Sequence, residues 1–300
     1  MRRQVRSDSD ERSIISVADL RQPRVRRTLR GVQGLILVGL VVVGAGPLLW
    51  LVMAGLSTTQ DLITDPLAWF PSGVQWHNLA DAWTRIEIGK YLGNTAIIAL
   101  GCLVANLLVT TTSAYLLSIL RPRWGGVLSG AILATLFVPS VIALVPLYLT
   151  VVRVPGTNIS LLNTFWAVWL PSAANAFNIL VVRRFFDAIP RETIEAAQID
   201  GAGVVRVFWQ IVLPFSKPIL GVISIMAVLG AWKDFLWPKL VLQDPTMQPI
   251  SVALPRVEAT TELSLQMAGM LLGMLIPVIL FLVFQRQILK GVSMSGSVKG

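Results

Sequence analysis

The sequence predicts an all-α membrane protein, with six transmembrane helices and a short helical knob on the cytoplasmic side. Three observations carry that prediction. Hydrophobic residues make up 54% of the chain and charged residues 14%, against about 25% charged in an ordinary soluble protein, and the mean hydropathy is +0.70. Five runs, 31–60, 91–120, 124–152, 154–182 and 263–285, contain no Asp, Glu, Lys or Arg, and a bilayer core needs about 20 apolar helical residues to be crossed. The net charge of +9 is distributed unevenly between the loops that join these runs.

Residues 1–30 mix nine arginines with Ser, Asp and Gln without helical periodicity, and read as a mobile basic N-terminus. Residues 31–300 form the transmembrane domain. The first span, 35–54, and the basic region before it both exceed signal-peptide dimensions, so an uncleaved span is expected. The second, 94–119, contains the lone Cys102, which reads as a small buried packing residue. The third and fourth, 127–151 and 161–182, carry Pro139, Pro146 and Pro171, and the sixth, 264–284, carries Pro277. Each of these prolines marks a kink. The fifth, 218–242, is free of charge only as far as Trp232, about 22 Å of helix. It must therefore continue through Lys233 and Asp234 or be re-entrant. Gly126-x-x-x-Gly130 and Gly269-x-x-x-Gly273 predict close helix approach.

With six spans, the stretches 1–30, 121–123, 183–217 and 286–300 share one side and hold 19 basic and 8 acidic residues. The other side holds 4 basic and 7 acidic residues. The positive-inside rule makes the first side cytoplasmic, with both termini there. The charge therefore records membrane orientation, and nothing in it calls for a nucleic-acid partner. His77 is the only histidine, which excludes a multi-histidine metal site. Neither a phosphate-cradling G-x-x-x-x-G-K-[ST] nor a G-x-S-x-G nucleophile turn occurs. The chain is expected to be non-catalytic.

The loop 183–217 breaks the apolar pattern. Pro190 suits a helix start, Glu192 and Glu195 suit its positive end, and Gly201 suits the left-handed turn that closes it. Val204, Val207, Phe208 and Ile211 then fall on one face of a second short helix, which Pro214 is expected to stop. Helices this short are marginal alone, so the knob is expected to pack against something.

Glu195-Ala196-Ala197, then Gly201 after three residues, then Ile211-x-Leu213-Pro214 after nine, resembles the EAA loop of ABC-importer permeases. The longer string from Ile189-Pro190 to Asp200-Gly201-Ala202 is similar to the carbohydrate branch. So are Ala231-Trp232-Lys233-Asp234-Phe235-Leu236-Trp237-Pro238 and the tail Ser297-Val298-Lys299-Gly300. The chain departs from the family at Lys233, where Asn is usual. The resemblance spans about 33–300 and implies a type I importer-like permease, of the maltose or glycerol-phosphate kind. It implies a homologous second permease subunit, two cytoplasmic ATPase subunits that hold ATP and Mg, an extracytoplasmic solute-binding protein, and no cofactor on this chain. The knob would be a coupling helix in an ATPase cleft. Glu195 would accept hydrogen bonds there, Ala196 and Ala197 would allow close approach, and Gly201 would set the bend, with Asp200, Ile211, Leu213 and Pro214 completing the motif. Loops 61–90 and 244–262 would receive the binding protein.

Candidate groups for the translocation path are Asn175, Asn178, Trp232, Lys233 and Asp234. Two alternatives stand beside that role: helix–helix hydrogen bonding for the asparagines, and interface anchoring for the charged pair, flanked as it is by Trp232 and Trp237. Sugar uptake is the leading reading, with polyamine or phosphonate uptake as alternatives within the class. A self-sufficient secondary transporter would need a mid-membrane ion site, and Asp234, the only acid in a span, lies off-centre. A membrane enzyme would need a cluster of nucleophiles that the sequence does not contain.

Overall fold

The computed structural model describes residues 23–296, and among them it is helical, with no strand. The first part of the chain forms α1 (Pro23–Gly55), α2 (Thr59–Thr64), α3 (His77–Arg85), α4 (Ile88–Tyr115), α5 (Gly125–Thr135), α6 (Ser140–Val152) and α7 (Trp166–Ala173). It continues with α8 (Ala176–Asp187), α9 (Arg191–Ile199), α10 (Val204–Phe215), α11 (Lys217–Lys233), α12 (Leu236–Val241), α13 (Ile250–Val257) and α14 (Leu263–Gly296). The expectations for residues 1–22 and for Ser297–Gly300 lie outside the described residues. Helix α1 already begins at Pro23, so 23–30 is helical rather than irregular. Proline suits that first turn because its missing N–H would have no partner there anyway.

Among the described residues three helices are long and apolar enough to cross a membrane, α1, α4 with the π-turn that follows it, and α14, and the number rises to as many as five if each bent pair is one span. The predicted spans 127–151, 161–182 and 218–242 are not single helices. The third is bent by 108° between α5 and α6, where Pro139 withholds an N–H and forces the residue before it out of helical geometry. The fourth breaks after Ala173, and Asn175 caps α8 by accepting the Asn178 amide at 3.0 Å. In the fifth, α11 ends at Lys233 and does not run through the charged pair.

Helix α4 is the hub and packs against α7, α8, α11 and α13. Three apolar clusters surround it. One holds Tyr115, Val182, Phe186, Val207 and Ile223, another Ile86, Ile88, Tyr91, Ile250 and Leu265. The third holds Ile98, Val168 and Val241 together with Cys102, which is buried as a packing residue. The two glycine pairs behave differently. A Cβ at Gly269 would lie 3.0 Å from Leu254 and one at Gly273 2.9 Å from Ile250, so α14 approaches α13 closely. A Cβ at Gly126 or Gly130 would meet nothing within 4 Å, so the close approach expected on α5 is not made.

Candidate functional site

The loop 183–217 folds as the expected knob of two short helices. Pro190 is the N-cap of α9, one position before the helix, and Glu192 sits in the first turn. Gly201 ends α9 at φ 79°. Its amide donates to the Gln198 carbonyl at 3.0 Å and the Ala202 amide donates to the Ala197 carbonyl at 2.9 Å. This pair of bonds is the Schellman closure, which needs a left-handed residue at that position. Ile194 is buried and Ala197 and Ala202 pack beside it against α4, α8 and α11, which root the knob in the bundle. Glu195, Ala196 and Asp200 stay exposed on its outer edge, and Ile199 is 87% exposed.

Helix α10 differs from the simple amphipathic reading. Val207, Phe208 and Val212 are buried, Ile211 and Leu213 are half-buried, and Val204 is exposed. The cause is a π-turn over Phe208–Val212, in which the Leu213 amide reaches back to the Phe208 carbonyl. That extra residue shifts the inward face by one position, from Ile211 to Val212. Pro214 does not stop the helix, which runs on to Phe215 and turns by 80° into α11 at the buried Ser216. Tyr115 holds α10 from below, with its hydroxyl 2.9 Å from the Val204 carbonyl and its ring 5.1 Å from that of Phe208.

Sequence reasoning missed the polar lock at the root of the knob. Asp187, at the end of α8, accepts from Ser118 Oγ at 2.8 Å and from Arg121 Nη2 at 3.4 Å. Arg183 lies 3.8 Å from its other oxygen and donates to Ser129 Oγ at 2.6 Å. Only the Arg183–Asp187 spacing of four residues was legible in advance. The Ser118 and Arg121 contacts depend on a π-turn over Leu116–Leu120 and a left-handed Arg121.

The candidate path residues are not all brought together. Asn178 is buried and donates to Asn106 Oδ1 at 3.0 Å, while Asn106 donates to the Ser172 carbonyl at 3.1 Å. This pair joins α4 to the broken fourth segment, so Asn178 serves packing. Asn175 is exposed at the break. Trp232 is buried and Lys233 is exposed, while Asp234 is half-buried in the gap before α12. There the Asp234 carbonyl accepts from Ser251 Oγ at 2.7 Å. Trp237 donates its indole N–H to the Ala167 carbonyl at 2.9 Å.

At the opposite end, Asn94 donates to the carbonyls of Thr246 and Gln248 at 2.8 and 3.0 Å, pinning loop 244–262 to α4. Bonds from the amide and hydroxyl of Thr246 hold the Asp244 carboxyl below the ordinary carboxylate range, and Ser72 and Thr58 do the same for Asp61. Among the described residues no group of three or more His, Cys, Asp or Glu converges where a metal ion could sit.

Comparison with known proteins accounts for this geometry. The family described as "Binding-protein-dependent transport system inner membrane component" matches residues 109–293. The Melibiose/raffinose/stachyose import permease protein MelC of Bacillus subtilis is 31% identical over 77% of this chain and 83% of its own. The sn-glycerol-3-phosphate transport system permease protein UgpE of Yersinia pestis is 29% identical over 80% of this chain and 87% of its own. The Diacetylchitobiose uptake system permease protein NgcG of Streptomyces coelicolor is 29% identical over 82% of each. A bacterial ABC transporter that imports the acidic polysaccharide alginate shares the fold, with a TM-score of 0.80 at 20% identity, over 88% of this chain and 98% of that one. On these matches the chain belongs to the binding-protein-dependent transport system inner membrane components, and is a multi-pass membrane permease of an ABC importer.

Proposed function

We propose that this chain forms half of the translocation path of an ATP-driven importer for a sugar or sugar-like solute. The names of the relatives support the sugar, and the family supports delivery by a binding protein. In this reading the chain crosses the membrane six times with both termini in the cytoplasm, and the broken helices count as crossings. It pairs with a homologous permease and two ATPase subunits that hold ATP and Mg, while the chain itself catalyses nothing.

The observation that carries the proposal is the knob: apolar residues root it in the bundle, and a small, acidic outer edge stays free. Glu195, Ala196, Asp200 and Gly201 seat it in the ATPase cleft, while Ala197 is turned toward the bundle. Ile211, Leu213 and Pro214 connect it to α11, which leads to Trp232, Lys233 and Asp234. With Asn175, Lys233 and Asp234 offer polar groups to the solute. The test is reconstitution with the partner subunits and a binding protein in liposomes loaded with ATP. Accumulation of an oligosaccharide, and not of a polyamine or phosphonate, supports the sugar. Accumulation without ATP, driven by an ion gradient, refutes the coupling role.

A further inference from the structure

Helices α5 and α8 flank an open cavity of 660 Å³ beside the polar lock of Asp187. Gly130, Leu133 and Leu180 wall it, and Ser129, Arg183, Arg184 and Asp187 face it. A neighbouring cavity of 400 Å³ shares Arg183 and Asp187 and adds Arg121 and Gly126. Arg121 and Arg183 thus flank one carboxylate, which already accepts from Ser118 and Arg121, while Arg184 lines the same cavity without reaching it. The buried Arg183 Nε makes no hydrogen bond and has only the Asp187 carboxylate, 3.8 Å away, beside it. Arg184 is exposed, and makes no ion pair or hydrogen bond among the described residues.

The glycine pair explains why the space is open. Nothing lies within 4 Å of the Cβ positions of Gly126 and Gly130, so this face of α5 is bare and no helix fills it. Helix α5 begins one apolar segment and α8 ends another, so the cavity lies where hydrocarbon-facing chain gives way to arginines. Its walls are apolar on one side, at Leu133 and Leu180, and cationic on the other. Arginine forks bind phosphate oxygens in pairs, and basic pockets between membrane helices suit anionic headgroups.

The geometry points to a binding site for one anionic phospholipid, its phosphate held by Arg183 and Arg184 and an acyl chain lying on Leu133 and Leu180. The full chain, purified with its partner subunits, is exchanged into phosphatidylcholine nanodiscs with or without phosphatidylglycerol, and retained lipid is counted by native mass spectrometry. Phosphatidylglycerol is expected to remain at one molecule per copy of this chain. R183Q with R184Q is expected to weaken retention roughly thirtyfold, as for two basic groups at an anionic surface.

Arg183 also bonds Ser129, so two further variants separate binding from folding. R184Q removes an unpaired cation, and G130L fills the cavity while leaving every arginine in place. Both are expected to assemble normally, with retention weakened about fivefold in R184Q and lost in G130L. Unchanged retention in R184Q and G130L overturns the site, as does equal retention of phosphatidylcholine. Displacement of the lipid by inorganic phosphate alone would assign the arginines to a free anion and also overturn it. Loss of a partner subunit from R184Q, with the lipid count unchanged, would overturn it in favour of a protein contact.

Discussion

Replacing Gly201 isolates the knob from the rest of the fold. Its φ of 79° lies in the left-handed region, and a Cβ there would meet nothing within 4 Å, so the cost is conformational and not steric. An L-residue in that region costs roughly 1–2 kcal/mol, and a β-branched one fits worst. If valine refuses the conformation, the two closing bonds from the Gly201 and Ala202 amides are lost, at about 1 kcal/mol each. Either route costs about 2 kcal/mol, or roughly thirtyfold in the population of the bent knob. The spans do not depend on this turn, so membrane abundance of Gly201→Val, read by immunoblot, is expected to match wild type while ATP-driven uptake is lost. Gly201→Asn, which tolerates the left-handed region, should retain most uptake, with Gly201→Ala between the two. Equal uptake in the Val and Asn variants, or a loss of abundance that tracks the loss of uptake, would refute the reasoning.

Asp187→Ala is expected to cost about 1–3 kcal/mol, chiefly from the stranded, buried Ser118 hydroxyl, because its ion pairs are partly exposed and contribute little. Solute moved per ATP should fall, and Asp187→Asn, which can still accept from Ser118, should restore it. Asn106→Ala strands Asn178 and should lower the thermal midpoint by a few degrees, in line with about 1 kcal/mol for a buried interhelical pair. At Gly101 a Cβ would overlap the Trp169 indole, so Gly101→Ala should cost about 1–3 kcal/mol, relieved by adding Trp169→Leu. Asp244 is more acidic when folded, so its contribution to the turn Pro245–Met247 is fully present above the ordinary value of 3.8 and lost as pH falls below it. Hydrogen exchange at the Thr246 amide should therefore report no loosening of this turn as pH is lowered from 7 to that value.

Particular residues show how far the sequence could be read. The knob was legible because capping signals act locally: Pro190, Glu192 and Gly201 each impose their geometry within one turn. The apolar runs announced membrane segments, but composition is blind to where a helix breaks inside a run. Pro139 and Asn175 interrupt the third and fourth segments, and Lys233 ends the fifth helix. The π-turn over Phe208–Val212 was invisible to a 3.6-residue period, which is why the inward position moved from Ile211 to Val212. The Asp187 lock joins residues far apart in the chain, and no local pattern announces such a contact. Asn178 shows the reverse case: its polarity inside an apolar run is plain in the sequence, but only the folded helices supply its partner, Asn106.

The corner at Ser216 gives the short helix a mechanical advantage. Helices α10 and α11 meet there at 80°, and the 17 residues of α11 make an arm of about 25 Å. A tilt of about 10° at this elbow would swing the far end of that arm by about 4 Å, most of the width of a sugar ring. The residues at that far end are Lys233 and Asp234. Because α11 packs along α4 and α14, such a tilt would have to slide it over both helices, so the elbow would tie any rocking of the knob to their packing.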